Sequence, residues 1–433
     1  MMKRLTLLVL GLVWAVFMTA QYRFEATVVD AKSGERLPFA SIYLDQGTAT
    51  ISNMDGVFAL NCDSSDVLRI SYVGYETLHI QAGHLGNSVA LQPHSLILSE
   101  VMVIPIAPMI NKICKETLRM MNKNKNKHAE FFYRQTAFAQ DSADLSAPAI
   151  CYEFLEAFLN GGSAVALHDL KLTTGRYAGI KSDSTHFYSF FGNFYTFSQL
   201  PVAANYVRPN RADDVLPLFR HTTEFFDVNY HVIDDEGRRI FVIHFEPKPE
   251  KENDYTMLAA TLYVDEETLH LRRIVGEGRN FWTVTRVLES YNLPVIGTTQ
   301  RYKRYYAPTT FLYDINLTEE RGFPEVQSAF VEATQGVRGM VFTTRSILFK
   351  LNEESNSDEK KGNVFKRFFN FVKEQVQAQP GRDLSFSTNI QKAIEQVGYN
   401  AEFWRRNEIV RRTPVEEQVM ELFENQQLFG VFQ

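Results

Sequence analysis

The chain has 433 residues, enough for two or three globular units at about 150 residues each. Hydrophobic residues make up 45% and charged residues 22%, which allows a buried core and excludes disorder over most of the length. Because 45 Lys and Arg face 51 Asp and Glu, the net charge of −6 argues against a nucleic-acid partner held through phosphate contacts.

Residues 1–20 have the plan of a secretory signal peptide. Lys3 and Arg4 precede an apolar run from Leu5 to Met18, and the small residue Ala20 ends the segment. An uncleaved anchor is the alternative, but the run is short for a bilayer span of about 20 residues. We expect an exported protein, periplasmic or peripheral at the outer membrane or secreted, with no transmembrane span after signal cleavage.

The three cysteines are Cys62, Cys114 and Cys151. An odd number at such wide spacing does not make a disulfide framework. A disulfide between Cys114 and Cys151 stays open, although Cys114 also fits the apolar stripe of a helix. The pattern favours buried free thiols.

Residues 21–104 are predicted to form short strands separated by turn signals, a pattern that is typical of a β-sandwich. The landmarks, in order, are the Asp30–Gly34 turn, Leu37-Pro38-Phe39-Ala40-Ser41, Asp55-Gly56-Val57-Phe58 and Ser71-Tyr72-Val73-Gly74-Tyr75. On these landmarks the segment resembles the carboxypeptidase-regulatory-like module of Bacteroidota envelope proteins. The resemblance implies a transthyretin-like sandwich of seven strands. It also implies an accessory role beside varied partners, outer-membrane receptors among them, and no chemistry of its own.

A carboxypeptidase zinc site is not predicted, although His221 and Glu224 have the spacing of a His-x-x-Glu pair. A strand is predicted over Thr222–Ile233, because apolar and polar residues alternate there. Residues three apart on a strand point to opposite faces, so the two side chains would diverge if the strand already includes both of them.

Residues 105–128 are predicted to hold a linker marked by Pro105 and Pro108, then an amphipathic helix from Met109 to about Asn122. Residues 129–352 are mainly β. Short polar turns such as Asp234–Gly237 and Asp265–Thr268 indicate hairpins, so we expect a large curved antiparallel sheet. The predicted strands are Phe131–Gln140, Ile150–Leu159, Thr222–Ile233, Arg239–Phe245, Ala259–Val264, Leu269–Val275, Phe281–Leu288, Phe311–Leu317 and Val341–Lys350.

Several phrases of this region, including YEFLEAFLN, the TTGRYAGIK turn and LYVDEETLHLRRI, resemble a region that follows the module in Bacteroidota proteins of unknown activity. The hairpin phrase ending at Thr268 is also similar to periplasmic lipoprotein carriers of the LolA/LolB kind, which cup an acyl chain. That similarity is one of fold, and fold does not determine function.

Residues 353–433 are predicted to be helical. An apolar face lies between Asp358 and Gln379, a short helix runs from Ile390 to Gly398, and Thr413-Pro414 opens a last helix through Leu422 and Phe423. Basic residues beside these faces would suit anionic lipid, but interspersed acidic residues favour packing on the sheet. The predicted fold class is mainly β with helices: an all-β sandwich followed by an α+β domain.

The densest aromatic cluster lies in residues 187–197. Its aromatic members are Phe187, Tyr188, Phe190, Phe191, Phe194, Tyr195 and Phe197. Such side chains can stack on sugar rings or line an acyl pocket, which makes them the predicted ligand-binding residues. The alternative is that the segment plugs one end of the sheet as core.

No residue is predicted to be catalytic, and no metal-ligand set or cofactor is predicted. His168-Asp169, Cys151 and the acidic turns lack the arrangement that catalysis requires. The leading hypothesis is a non-catalytic envelope protein that binds an apolar or glycan ligand, or an outer-membrane partner protein. The alternatives are a structural interaction module of an outer-membrane assembly and a hydrolase with an unrecognised site.

Overall fold

The computed structural model describes the chain in sixteen segments. They are residues 22–44, 49–94, 105–147, 149–162, 168–179, 214–215, 222–235, 237–252, 256–279, 282–284, 306–337, 339–351, 382–383, 390–397, 399–406 and 408–429. The contacts divide the chain into a sandwich unit, residues 1–93 with 409–413, and a sheet unit, residues 94–408 with 414–433.

The described part of the sandwich unit has seven strands in two sheets. They are β1 (Tyr22–Asp30), β2 (Ser41–Leu44), β3 (Ala49–Ile51), β4 (Val57–Cys62), β5 (Val67–Ser71), β6 (Leu78–Gln81) and β7 (Ser88–Leu91), with a 3-10 turn at Ala82–His84. One sheet has the order β4-β1-β7 and the other β3-β2-β5-β6. Alternate residues such as Val28, Ile42, Phe58 and Ile70 fill the space between them. The predicted β-sandwich is confirmed.

The Asp30 side chain explains the first landmark turn. Its Oδ1 accepts hydrogen bonds from the backbone N–H groups of Lys32 (2.6 Å) and Ser33 (2.8 Å), and Gly34 follows at φ 75°. Its Oδ2 accepts the Tyr75 hydroxyl at 2.7 Å, so the first and last landmarks are tied together. The Ser33 N–H, followed by the Tyr75 hydroxyl, lowers the pKa of Asp30.

Ser52 holds the second landmark in an unusual backbone conformation. Phe39 has φ 64°, a left-handed conformation that is costly for a bulky residue. The fully buried Ser52 hydroxyl donates to the Leu37 carbonyl (2.8 Å) and accepts from the Ala40 N–H (2.9 Å), on either side of Phe39. The Ser52 carbonyl also accepts the Phe39 N–H at 3.0 Å. One serine therefore fixes the turn that leads into β2.

Ser52→Ala is expected to destabilise the sandwich unit by about 2 kcal/mol, because a buried N–H and a buried carbonyl lose their partner. Hydrogen exchange of the sandwich amides measures this locally, as a chain with two units need not unfold in one step. Ser88→Ala, at an exposed position of β7, is the control and should leave exchange unchanged. Equal protection in both variants would show that the hydroxyl contributes nothing.

The sheet unit is built on one large, almost wholly antiparallel sheet. Its described strands are β8 (His128–Asp141), β9 (Ile150–Gly162), β10 (His168–Gly179), β11 (Asp214–Val215), β12 (Phe226–Asp235), β13 (Arg238–Pro247), β14 (Thr256–Asp265), β15 (Leu271–Arg279), β16 (Trp282–Val284), β17 (Tyr306–Thr318), β18 (Glu325–Val337), β19 (Met340–Leu351) and β20 (Arg382–Asp383). The main order is β12-β13-β14-β15-β17-β18-β19-β8-β9-β10-β20, with β11 beside β14 and β16 beside β17.

Helices cover both faces of the sheet. They are α1 (Ile106–Asn124), α2 (Thr222–Phe225), α3 (Pro249–Glu252), α4 (Ile390–Glu395), α5 (Ala401–Arg406) and α6 (Pro414–Asn425). On the inner face, Ile110 and Ile113 of α1 share one core with residues of distant strands, such as Leu155 of β9 and Ile243 of β13. The sheet thus curves around α1. This agrees with the predicted mainly β fold class.

The outer face has a covered half at β8–β10. Phe158 of β9 packs against Trp404 of α5 with ring centroids 5.5 Å apart, and Phe154 packs against Phe429, which follows α6. Phe423 of α6 is fully buried in the same cluster. The C-terminal helices therefore pack on the sheet, as the mixed charge pattern predicted. Among the described residues, no helix is long and apolar enough to cross a membrane.

Several predicted boundaries were wrong. Residues 173–179 of the TTGRYAGIK segment lie within β10 rather than in a turn, and β18 was not predicted as a strand. The strand predicted from Thr222 begins at Phe226, because residues 222–225 form the turn α2. Helix α1 starts at Ile106, so Pro108 lies in its first turn, where the missing N–H removes no hydrogen bond.

The predicted apolar face of the last helix also differs at one position. Leu422 is 43% exposed, whereas Val419, Met420 and Phe423 are buried. The predicted signal peptide, the segment between Asp358 and Gln379, and Gly398 lie outside the described residues.

Candidate functional site

The aromatic residues predicted to bind a ligand, in the segment 187–197, lie outside the described part of the chain. Their role stays a prediction. The same applies to His221, while Glu224 lies in α2 and His168-Asp169 open β10. Among the described residues, no group of three or more His, Cys, Asp and Glu side chains could hold a metal ion.

All three thiols are free and buried, as predicted. Burial is the main cause that raises the pKa of Cys62 to about 11 and that of Cys114 and Cys151 to about 12. A thiolate is the reactive form of cysteine, so these thiols are unreactive at neutral pH. Their arrangement is that of core residues.

A buried ionic network lies under the C-terminal helices. The Glu156 carboxylate accepts from Arg134 Nε at 2.8 Å and from Arg176 Nε at 2.9 Å. Both guanidinium groups and the carboxylate are at most 1% exposed. Glu416 of α6 lies 3.5 Å from Arg134, and the Arg176 guanidinium lies 4.9 Å from the Trp404 ring. These charges connect the strands to α5 and α6 and are buried from solvent, so they do not form an accessible site.

A second polar cluster joins α1 to the sheet through His270. The imidazole Nδ1 lies 2.6 Å from Glu319 Oε1, and Nε2 lies 3.2 Å from Glu116 Oε1 on α1. Arg119 and Arg272 pair with the two carboxylates. Burial alone would lower the pKa of His270, but the hydrogen bonds and charges of Glu319 and Glu116 outweigh it and raise that pKa.

The His270 cluster is expected to make the sheet unit more stable at mildly acidic pH. With its folded pKa above the unfolded value of about 6.5, His270 contributes fully below about pH 6.5 and loses its contribution as pH rises through the folded pKa. The effect should be at most about 1 kcal/mol because the cluster is partly solvated. Urea unfolding of wild type and His270→Gln at pH 5.5 and 9 tests this. A stability difference that grows toward pH 9 would contradict it.

The outer face of β12–β14 has two parts: Ile233, Ile240 and Val242 form a buried apolar cluster near the β12–β13 turn, and polar side chains follow away from that turn. On β12, Asp227, Asn229 and His231 alternate with Val228 and Tyr230, which pack on the inner core. The neighbouring strands add His244 and Thr261 to the same outer face. We call Asn229, His231, His244 and Thr261 the histidine face.

The geometry of the histidine face follows from the hairpin register. Asn229 pairs with His244, and His244 pairs with Thr261 on its other side. The His244 and His231 rings stack at 5.4 Å between centroids with planes inclined by 28°, and His244 Nδ1 lies 2.9 Å from Thr261 Oγ1. Burial, followed by the charge of His231, lowers the pKa of His244, so its ring is neutral at physiological pH.

A shallow depression of about 160 Å³ adjoins the histidine face. Ala259, Val275, Gly276 and Glu246 are among the residues that line it. Glu246 pairs directly with Asp227 across the hairpin, and it also pairs with Arg279 at 3.2 Å. The outer face therefore offers imidazole, amide, hydroxyl and carboxylate groups to solvent, and sequence reasoning did not identify it.

The described fold and these sites can be compared with known proteins. Residues 25–103 match the family model of the CarboxypepD_reg-like domain. The sandwich unit thus carries the domain that its landmarks indicated, and the domain covers less than a fifth of the chain. No curated protein is significantly similar to the chain.

Two solved structures show weak similarity. One is the Pseudomonas aeruginosa MucA/MucB complex, with 9% identity, a TM-score of 0.15, and coverage of 55% of this chain and 94% of that chain. The other is MucB in complex with MucA(peri), with 9% identity, a TM-score of 0.14, and coverage of 55% and 93%. At TM-scores this low, the similarity supports no conclusion about fold or function.

Proposed function

We propose that this is an exported, non-catalytic binding protein of the cell envelope, in which the CarboxypepD_reg-like domain accompanies a sheet unit that binds a partner protein. The observation that carries the proposal is the contrast between the two halves of the outer face. Helices α5 and α6 cover β8–β10, whereas on β12–β14 the histidine face presents polar groups and a depression, next to a buried apolar cluster that includes Val242.

A protein partner fits the described residues better than an acyl chain held inside the sheet. The inner face is filled by α1, whose Ile110, Ile113 and Cys114 lie in one core with the strands. An acyl chain in that space would have to displace a packed helix. A protein surface can instead contact the outer face without disturbing the core, and polar groups next to apolar residues are common in such interfaces.

Site-specific photocrosslinking in the native cell tests this proposal. A photoreactive residue at position 229, on the histidine face, is expected to crosslink one protein species reproducibly. Thr261→Arg should abolish that crosslink, because a long side chain would then project from the centre of the same face. The control is the same photoreactive residue at position 415, since Val415 is 49% exposed on α6 of the same unit.

Equal crosslinking from positions 229 and 415, or no crosslink from position 229, would contradict the proposal. Native mass spectrometry of the purified chain separates the ligand-binding alternative, because a retained lipid or glycan would direct attention to the aromatic segment 187–197. Cell fractionation measures the expected envelope location independently of both experiments.

A further inference from the structure

We propose that His231 and His244 together bind one divalent late transition-metal ion, of the class of Cu²⁺ or Zn²⁺, on the outer face of β12 and β13. The two rings are neighbours on the hairpin: His231 pairs with Val242 and His244 pairs with Asn229, so the imidazoles are diagonal across the strand pair. Imidazole nitrogen is a preferred ligand of these ions. This inference goes beyond the proposed partner protein and concerns the isolated chain.

The ring spacing matches what two imidazoles on one tetrahedral ion require. With a metal–nitrogen distance of about 2.0–2.1 Å, each ring centroid would lie about 3.2 Å from the metal, which places the centroids about 5.2 Å apart. The observed separation of His231 and His244 is 5.4 Å. Neither strand needs to move for the two rings to share a tetrahedral ion such as Zn²⁺. Cis ligation of tetragonal Cu²⁺ would bring the centroids to about 4.5 Å, which requires a small approach of the two side chains.

Only the ring orientations have to change, since the rings now stack at 28° instead of converging on one point. Rotation about χ2 turns a histidine ring about an axis that passes close to its centroid, and this torsion has a broad energy profile. The nitrogens can therefore converge while the centroids stay in place. His231 is exposed, so its rotation meets little resistance.

The contact between Thr261 and Nδ1 of His244 leaves the other ring nitrogen, Nε2, available to bind the metal. Thr261 lies 2.9 Å from His244 Nδ1, so that nitrogen is engaged and Nε2 remains as the ligand. A hydrogen bond on the second nitrogen is the usual support for a metal-binding histidine, because it orients the ring. Asn229, in register with His244 on the same face as His231, supplies an amide oxygen next to the pair.

The surrounding charge favours a cation. Asp227 and Glu246 pair directly across the same hairpin and are both exposed. On each strand they lie two residues further from the turn than Asn229 and His244. Like charges so close together repel each other. Arg279, 3.2 Å from Glu246, offsets part of this repulsion, and a metal cation would offset the part that remains. No group of three or more His, Cys, Asp and Glu among the described residues could hold a metal ion, so the proposed site would consist of two imidazoles, waters and an amide at the surface.

Copper titration of the purified chain, without any histidine tag, tests the proposal with Cu²⁺ alone as the probe. We expect one equivalent to bind, with an electron paramagnetic resonance spectrum that shows coupling to two nitrogens. His231→Ala should weaken binding by about tenfold or more and leave coupling to one nitrogen. His231 is exposed, so this variant should fold normally. His79→Ala, at an exposed position of β6 in the sandwich unit, is the control and should bind as wild type does.

Absence of stoichiometric binding, or unchanged affinity in both His231→Ala and His244→Ala, would overturn the proposal. Thr261→Val provides a further measure, because loss of the hydroxyl should weaken binding less than loss of either imidazole. A result in which Thr261→Val weakens binding more than His231→Ala would also count against this ligand assignment. Partner crosslinking plays no part in these measurements, so the metal site and the proposed partner can fail separately.

Discussion

Glu156→Gln is expected to destabilise the sheet unit by about 3–5 kcal/mol, the cost of removing one partner from a fully buried ion pair. Glutamine has nearly the same shape as glutamate, so the loss of stability measures the effect of removing the negative charge. Arg134 and Arg176 cannot deprotonate, and both would stay buried beside a neutral amide. Glu416, at 3.5 Å, and Glu424, at 3.8 Å, are too distant to replace the three short charged hydrogen bonds that Glu156 accepts from the two arginines.

The aromatic rings around Arg176 do not compensate for the lost carboxylate. The guanidinium lies 4.9 Å from the Trp404 ring and 5.0 Å from the Phe429 ring, so cation–π attraction contributes in the wild type as well as in the variant. Since those rings belong to α5 and the segment after α6, Glu156→Gln should also loosen the C-terminal helices. Hydrogen exchange should show the earliest loss of protection in α6.

Urea unfolding with Glu246→Gln as the matched control measures the effect. Glu246 makes the same kind of pair with Arg279, but its side chain is 62% exposed, so the control should lose less than about 0.5 kcal/mol. If Glu156→Gln fails to fold, the combined variant Arg134→Met, Glu156→Leu, Arg176→Met should recover folding, because apolar replacement of a buried ionic triad is often neutral. Equal stability of the two Gln variants would contradict the prediction.

The hairpins were predictable because two local signals indicate the same structure: apolar and polar residues alternate along the strands, and turn-forming residues lie between them. On β12 the alternation of Val228, Tyr230 and Val232 with polar residues gives one face to the core, and Gly237 at φ 81° ends the turn. The same logic located β13, β14 and β15 to within a few residues. Where local signals and tertiary packing coincide, the sequence is sufficient.

The missed strands show where tertiary packing overrides local signals. The TTGRYAGIK segment suggested a turn, but Gly175 pairs with Ala157 in β10. The glycine makes room for α4, since a Cβ there would stand 2.6 Å from Ile394 Cγ1. On β18, buried polar residues such as Glu325 and Gln327 interrupt the expected apolar alternation. Glu325 is compensated by Lys350 at 2.7 Å, a partner on another strand that no local pattern reveals.

The histidine face could have been found in part from sequence. Counting outward from the turn at Asp234–Gly237 places position 231 opposite 242 and position 229 opposite 244, and the structure has the same strand pairing. Two histidines on one side of one hairpin were therefore predictable. The stacking of the two rings was not predictable, and neither was the contact between His244 and Thr261 on the next strand, because both depend on the order of strands in the sheet.

Gly276→Ala is expected to destabilise the sheet unit by about 2–4 kcal/mol, because a methyl group has no room between β14 and β15. A Cβ at this position would lie 2.0 Å from the Ala259 carbonyl oxygen and 2.8 Å from the Tyr313 hydroxyl. The first of these atoms is backbone and cannot rotate away. Overpacking of this kind costs about 1–3 kcal/mol, and separation of the strands would also break a buried hydrogen bond.

That hydrogen bond is the one that the Tyr313 hydroxyl donates to the Ala259 carbonyl at 2.9 Å, and it bridges β17 to β14 directly over Gly276. The absence of a side chain at Gly276 thus allows three strands to approach closely. Gly336→Ala is the matched control, since nothing lies within 4 Å of a Cβ there, and urea unfolding should show it to be neutral or slightly stabilising.

A double variant separates the two contacts at Gly276. If the Tyr313 hydroxyl were the main obstacle, Gly276→Ala with Tyr313→Phe would regain most of the lost stability. Because the backbone oxygen at 2.0 Å is the tighter contact, we expect the double variant to remain about as unstable as Gly276→Ala alone. Recovery in the double variant would show that the strands can separate more easily than their pairing on both sides of β15 implies. The depression beside the histidine face, whose lining includes Gly276, would then be adaptable rather than fixed.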